Sequence, residues 1–305
     1  MARDKLKVIE IDYCYAKWRA EITDGEEIFT SGIRRYKHPR AVDYLHEKHS
    51  YDVSGADIEI YKPDHMKYYP EQPCIAVTRD VSEAVASGIR EGKGIYISGG
   101  YCNYAPAVAG GIRKALGPDK RIGVVWIDAH ADNVVVEEAD GPVRLVGIPV
   151  STMLGQTLPG FRTEVCGLSS PIDGQDMILS DIRIMSEDSA RHLEEAGVVR
   201  LDASCFDDEE CWSKHIDDLA QRVDAIFLMV DADILKFEYI PSYEKRVPYG
   251  HDLSVVAHNV GNVMSTGKVA AFATFCFDFD HYERGTLRTN ESLRTIVETA
   301  LKAWN

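Results

Sequence analysis

The fold is decided by the stretch Ile122-Gly123-Val124-Val125-Trp126-Ile127, which runs directly into Asp128-Ala129-His130-Ala131-Asp132. An uninterrupted apolar run of this length is typical of a strand buried on both faces, as in a parallel sheet. Alternate residues of an extended chain point to the same side, so Asp128, His130 and Asp132 are expected to aim their side chains together. The stretch therefore predicts a buried strand that ends in a cluster of metal-ligand residue types.

A second stretch repeats this arrangement, because the apolar run 225–230 ends in Asp231-Ala232-Asp233. Open parallel sheets bind ligands at the carboxyl ends of their strands, so both clusters are expected at one edge. Four carboxylates and one imidazole that converge there would be costly without a cation, which disfavours the alternative of acidic caps on surface turns. We therefore predict a metal site with two metals, of the kind that activates water for hydrolysis.

A third segment, Ser98-Gly99-Gly100-Tyr101-Cys102-Asn103, turns from a strand into a helix and brings Cys102 to the same edge.

Along the rest of the chain, apolar runs alternate with helical patterns, which indicates an α/β fold in one domain of residues 1–305. Residues 25–73 look irregular and are expected to cover the site or to form an oligomer contact. Asn103 and Asn290 are predicted as helix N-caps. Strands are predicted at 7–12, 94–98, 122–128, 177–183, 198–201, 225–231 and 268–277. Helices are predicted at 80–90, 103–116, 187–195, 213–222, 253–265 and 290–304.

Composition limits the classes of function. The 305 residues are 45% hydrophobic and 27% charged, which is typical of a globular chain with a large core. A formal charge of -15 argues against nucleic acid or an anionic membrane as partner and favours a cationic small-molecule substrate. No apolar run reaches membrane-spanning length, and the N-terminal residues lack the apolar core of a signal peptide. Seven scattered cysteines without CxxC pairs suggest reduced thiols, so a cytoplasmic protein is expected.

The three segments, in this order, resemble the motifs of the ureohydrolase family, which comprises arginases, agmatinases, formiminoglutamases and their relatives. The family pattern is Gly-Gly-Asp-His-Ser, then Asp-Ala-His-x-Asp, then Ser-x-Asp-x-Asp, and here it corresponds to residues 99–103, 128–132 and 230–233. The stretch Gly147-Ile148-Pro149-Val150-Ser151-Thr152 is similar to the family segment that follows the second motif. The resemblance implies a three-layer α/β fold, with a central and mostly parallel sheet flanked by helices, and a homo-oligomer (trimer or hexamer).

The resemblance also implies a ligand set for two Mn²⁺ ions per chain. Asp128 and Asp231 would bridge the ions, and Asp132 with the first-motif residue Cys102 would complete one of them. His130 and Asp233 would complete the ligands of the second ion.

The catalytic residues implied in this way are Asp128, His130 and Asp132, with Asp128 or Asp132 holding the proton of the metal-bound hydroxide. The family uses this hydroxide to attack the carbon of a guanidino, hydroxyguanidino or formimino group, releasing an amine. The chain is accordingly expected to hydrolyse a linear C–N bond of this type.

The first motif departs from the family pattern, because Cys102 stands where the family has a metal-binding histidine. A similar exchange occurs in the subgroup that hydrolyses Nω-hydroxy-L-arginine. A thiolate is a softer ligand than Mn²⁺ prefers, so the first metal is expected to bind weakly.

The substrate-binding positions depart as well. The family's proton-shuttle histidine aligns with Val146, and its guanidinium-binding acid aligns near Cys276. Three residues are predicted to bind substrate in their place: Asp278, which follows Cys276 on the same face of a strand, Asn133 beside the second motif, and His251 in a later loop.

Two other functions remain open on the sequence. A mononuclear zinc amide hydrolase would use Asp128, His130 and Asp233, as acetyl-lysine deacetylases do. A non-catalytic subunit would keep the fold without the chemistry, and would be recognised by the absence of bound metal.

Overall fold

The computed structural model describes residues 4–15, 19–30, 33–35, 41–243, 245–277 and 285–304. The strands are β1 Lys5–Glu10, β2 Tyr13–Tyr15, β3 Arg19–Thr23, β4 Glu26–Thr30, β5 Ile33–Arg35, β6 Asp57–Tyr61, β7 Gly94–Ser98, β8 Ile122–Ile127, β9 Val143–Arg144, β10 Met177–Ser180, β11 Val199–Leu201, β12 Ala225–Asp231 and β13 Val269–Phe275. The helices are α1 Ala41–Glu47, α2 Pro73–Arg90, α3 Ala105–Leu116, α4 Pro149–Met153, α5 Glu187–Glu195, α6 Ala203–Asp207, α7 Glu209–Arg222, α8 Leu253–Ser265 and α9 Thr286–Ala303.

A central sheet organises the molecule. Eight strands lie in the order β11-β10-β8-β12-β13-β7-β1-β6, and every neighbouring pair is parallel. The strands β7, β8, β12 and β13 at its centre are buried along their whole length. Burial on both faces explains why these segments are apolar at every position instead of alternating.

Helices cover the sheet closely. Helix α2 packs on α3, and a Cβ at Gly111 of α3 would lie 2.6 Å from the carbonyl oxygen of Ser82 on α2. Helix α7 packs on β8, where a Cβ at Gly123 would lie 3.1 Å from the Leu219 side chain. Helices α8 and α9 pack on one another, and Trp304 after α9 donates its indole N–H to the carbonyl of Val269 at 3.0 Å. The prediction of a three-layer α/β fold is confirmed.

Three expectations about local structure are corrected. The described part of residues 25–73 contains regular elements: β6 pairs with β1 at the edge of the central sheet, and α1 and short strands precede it. Its residues are only partly buried, so they lack the apolar signal of the central strands. Asn103 lies within a 3₁₀ turn before α3, and Asn290 lies inside α9, so neither is an N-cap.

The cysteines are not all reduced. Cys205 of α6 and Cys211 of α7 form a disulfide, with their Cα atoms 5.2 Å apart. An aspartate caps the start of each helix: Asp202 accepts the N–H of Cys205 at 2.9 Å, and Asp208 accepts that of Cys211 at 2.7 Å. The two Cys residues lie on consecutive helices, a relation that their sequence spacing did not suggest. Among the described residues, no helix combines the length and apolar character needed to cross a membrane.

Candidate metal centre

The carboxyl ends of four adjacent strands meet at the centre of the sheet edge. Val230 of β12 is in register with Ile127 of β8. The next residue on each strand, Asp231 and Asp128 respectively, therefore lies beside the other. On the other side of β12, Asp231 is in register with Phe275 of β13, directly before Cys276. Strand β13 in turn pairs with β7, which leads to Cys102. Parallel pairing therefore brings these side chains to one place from distant parts of the sequence.

One donor group consists of Asp128, His130 and Asp233, whose potential ligand atoms all lie within 4.8 Å of one another. The Nδ1 atom of His130 lies 2.8 Å from Oδ2 of Asp233 and 3.6 Å from Oδ1 of Asp128. Asp233 also accepts the N–H of Ala129 at 3.1 Å and the hydroxyl of Tyr243 at 2.8 Å. The backbone and a tyrosine thus hold the Asp233 carboxylate in a fixed orientation.

The charges of this group are strongly perturbed. Burial raises the pKa of Asp128, and the nearby Asp233 and Asp132 raise it further. Burial alone would lower the pKa of His130, but its hydrogen bonds to Asp128 and Asp233 outweigh that effect and raise it to about 11. Burial would raise the pKa of Asp233, but its hydrogen bonds to His130 and Tyr243 lower it instead. Without a metal, a protonated imidazole therefore supplies the positive charge that these carboxylates require.

A second donor group consists of Cys102, Asp231 and Cys276, again with all potential ligand atoms within 4.8 Å. Burial raises the pKa of both thiols well above the usual value for cysteine. The charge of Asp231 raises the pKa of both thiols, and the charge of Asp132 raises the pKa of the Cys102 thiol. Burial also raises the pKa of Asp132 to about 7, although His130 and Cys102 oppose that shift. This group is buried, acidic and rich in sulfur.

Buried polar atoms in this region lack partners. Oδ2 of Asp128 is buried and has no hydrogen-bond partner among the described residues. A buried carboxylate oxygen without a partner is costly, and a cation would satisfy it. The donors Asp128, His130 and Asp233 are oxygen and imidazole groups, which suit Mn²⁺ and also Zn²⁺. This donor group therefore fits a divalent ion, whereas the sulfur-rich group has a single hard donor, Asp231, where Mn²⁺ prefers several.

A cavity of about 230 Å³ opens above the two donor groups. Its floor includes Cys102, Asp128, His130, Asp132, Asp231 and Cys276. Its wall includes Val146, whose carbonyl lies 3.4 Å from the Cys102 thiol, and Ile184. Three basic residues, Arg144, Lys245 and Arg246, also line it. Within the described part of the chain, no acidic side chain lies within ion-pair distance of any of the three, so this wall offers cationic groups to a bound molecule.

The predicted substrate-binding residues are placed differently. Asn133 is buried, and its amide atoms have no partner among the described residues, but it is not part of the cavity wall. His251 is also outside the wall: its Nε2 lies 2.8 Å from Asp181 and its Nδ1 lies 2.8 Å from Asp207. With both ring nitrogens engaged, His251 is a buried link between two acids, and no substrate role follows from its position. Asp278 lies outside the described residues.

Sequence reasoning missed several residues of the site. Tyr243 and Lys245 come from a loop and Arg144 comes from the short strand β9, and no local pattern marks them. Cys276 was placed near a family position by resemblance, but its proximity to Cys102 depends on the strand order β12-β13-β7.

Comparison with known proteins identifies the class of protein that this fold and site define. A match to the arginase family extends over residues 17–273, so the chain belongs to the arginase family. It is 26% identical over 222 residues to an arginase from Brucella melitensis, covering 69% of this chain and 71% of that protein. It is 27% identical over 173 residues to a formimidoylglutamase from Chromobacterium violaceum, covering 55% of this chain and 50% of that protein.

Solved structures show the same fold. A Bacillus cereus arginase superimposes with a TM-score of 0.76 at 15% identity, covering 98% of both chains. An Entamoeba histolytica arginase, crystallised with L-ornithine, gives a TM-score of 0.77 at 16% identity and covers 98% of this chain and 99% of that one. A Bacillus subtilis formimidoylglutamase gives 0.67 at 14% identity, covering 98% of this chain and 87% of that one. The resemblance read from the sequence motifs is confirmed.

Proposed function

We propose that the chain is a metal-dependent hydrolase that cleaves a linear C–N bond in a guanidino, hydroxyguanidino or formimidoyl compound. The observation that carries this proposal is the convergence of two donor groups on the floor of one cavity, at the ends of β7, β8, β12 and β13. Arginases and formimidoylglutamases among the relatives support the class of reaction.

The site is proposed to hold two divalent ions per chain. Asp128, His130 and Asp233 would hold one ion, Mn²⁺, through oxygen and nitrogen donors, and the group of Cys102, Asp231 and Cys276 would hold the other. These residues would hold a divalent ion whose chemistry, when bound, would be the activation of water as a nucleophile. The protein's own contribution is orientation: Tyr243 and the N–H of Ala129 fix Asp233, and Asp233 fixes the ring of His130.

Asp132 is proposed to handle the proton. It lies on the cavity floor beside both donor groups and in the left-handed backbone region, with a φ of 45°. A non-glycine residue in that conformation is costly and is kept where its side chain must be directed to one place. The Asp132 carboxylate is therefore positioned to accept a proton from the attacking water and to return it to the departing amine.

The cavity also indicates the kind of substrate. An amidine or guanidine head is cationic and would sit over the acidic floor. The basic residues Arg144, Lys245 and Arg246 at the cavity wall suit an anionic group at the other end of the same molecule, such as a carboxylate. We propose a small zwitterionic substrate of this kind. The cytoplasmic location and the homo-oligomer remain predictions.

The test is hydrolysis by the purified full-length chain loaded with Mn²⁺. Release of urea, hydroxyurea or formamide is measured with guanidino, hydroxyguanidino and formimidoyl amino acids. Asp128→Asn should abolish the activity, whereas Asp119→Asn, the same change on an exposed turn before β8, should leave it unchanged. Failure of every substrate with metal-loaded protein would contradict the proposal.

A second candidate is a mononuclear zinc amide hydrolase, because Asp128, His130 and Asp233 form a compact donor group without help from the cysteines. One tightly bound Zn²⁺ that is unaffected by Cys102→Ala, together with amide cleavage, would favour it. Absence of bound metal in folded protein would favour a non-catalytic subunit.

A further inference from the structure

The sulfur-rich donor group differs from a manganese site. Cys102, Asp231 and Cys276 come from the ends of three adjacent strands, and their donor atoms lie within 4.8 Å of one another. All three residues are buried. Two sulfur atoms therefore stand together on the floor of a cavity where Mn²⁺ would require oxygen and nitrogen donors.

The backbone holds the two thiols in place. The N–H of Cys276 donates to the carbonyl of Gly100 at 3.0 Å, which ties the end of β13 to the turn after β7. Cys276 has a φ of 64° and Gly100 a φ of 77°. A Cβ at Gly100 would lie 3.0 Å from the ring of Tyr104, so this turn is closely packed as well as left-handed. Left-handed conformation at Cys276 is costly for a residue with a side chain, and it directs the thiol toward Cys102.

We infer that Cys102, Cys276 and Asp231 form a site for a thiophilic divalent ion, Zn²⁺, next to the Asp128-His130-Asp233 position. Soft thiolate ligands select zinc over manganese. Three protein donors also leave a fourth position open, as in catalytic zinc sites. The inference refines the metal content of the proposed function, and the chain would then carry two different ions.

The alternative to metal binding by these two thiols is a disulfide between Cys102 and Cys276. The structure describes both as free cysteines, in contrast to the disulfide at Cys205 and Cys211. A disulfide would remove both sulfur donors at once. The test must therefore count free thiols as well as metal ions.

The first measurement is metal content after the full-length chain is equilibrated with equal Zn²⁺ and Mn²⁺. We expect about one zinc per chain that requires the thiols. Replacement of Zn²⁺ by Co²⁺ should give sulfur-to-cobalt charge-transfer absorption in the near ultraviolet. This absorption should fall by about half in Cys102→Ser and in Cys276→Ser, since each ligand supplies one sulfur. Cys74→Ser, at another buried cysteine outside the disulfide, is the matched control and should leave it unchanged.

A second pair of variants protects the test against misfolding. Cys102→His and Cys276→Glu replace soft donors with nitrogen and oxygen donors, and should shift the bound metal from zinc toward manganese. The inference is overturned if the wild-type protein takes manganese at both positions, if cobalt shows no sulfur charge transfer, or if thiol counting finds a Cys102–Cys276 disulfide. Zinc bound through sulfur without amidine hydrolysis would contradict the proposed function alone. Hydrolysis by a protein with two manganese ions would contradict this inference alone.

Discussion

Tyr243→Phe is a sharp perturbation of the proposed metal centre. The hydroxyl of Tyr243 donates to Oδ2 of Asp233 at 2.8 Å, and the same carboxylate contacts His130. The substitution removes the hydroxyl that makes this hydrogen bond and keeps the ring, so the packing of the cavity wall is preserved. A hydrogen bond to a charged group contributes about 1.5–3 kcal/mol. Loss of such a partner behind a ligand weakens metal binding by about 10- to 100-fold.

The assay is a titration of metal-free protein with Mn²⁺, followed through the electron paramagnetic resonance signal of free Mn²⁺. Tyr239→Phe is the matched control, because it removes a tyrosine–aspartate hydrogen bond of 3.0 Å at Asp252, away from the donor groups. We expect weaker binding for Tyr243→Phe and unchanged binding for Tyr239→Phe. Equal affinity in the wild type and Tyr243→Phe would refute the reasoning that Tyr243 orients Asp233.

Three further predictions concern substrate, proton and packing. Arg144→Gln and Lys245→Gln should each raise KM up to about fivefold for carboxylate-bearing substrates, the scale of an exposed ion pair, and should not change KM for the corresponding amides. Equal changes in KM for the carboxylates and the amides would contradict an anion-binding role. The pKa of His130 is raised to about 11 without metal, so a metal ion must displace its proton, and the affinity for the metal should rise by about tenfold per pH unit for each proton displaced. Calorimetry in buffers of different ionisation enthalpy counts the displaced protons, and metal binding that does not depend on pH would contradict the prediction. In Gly111→Ala, the new Cβ would lie 2.6 Å from a carbonyl oxygen of α2. This overpacking should lower the free energy of unfolding, measured by urea titration, by about 1–3 kcal/mol. An unchanged free energy of unfolding would show that α2 and α3 can move apart at little cost.

Strong local signals account for what the sequence predicted correctly. Strands 94–98 and 225–231 were predicted with their observed bounds, because full burial makes them apolar at every position. The edge strand β6 was missed because its residues are only half buried and carry no such pattern. The degree of burial therefore explains why the central strands could be predicted from the sequence and the edge strand could not.

The site was predictable only where ligands follow a strand directly. Asp128 and Asp231 come straight from the ends of β8 and β12, so the rule for parallel sheets was enough to place them together. Tyr243 and Lys245 belong to a loop whose path depends on tertiary packing. The pairing of Cys102 with Cys276 required the order of strands in the sheet, which no local pattern contains.

The central claim is that the strand ends hold divalent cations. The most direct measurement is anomalous X-ray diffraction from crystals of the protein equilibrated with Mn²⁺ and Zn²⁺, recorded on both sides of each metal's absorption edge. The account predicts one peak within bonding distance of Asp128, His130 and Asp233, and a zinc peak beside the sulfur atoms of Cys102 and Cys276. Diffraction with no anomalous peak at this edge of the sheet would contradict it.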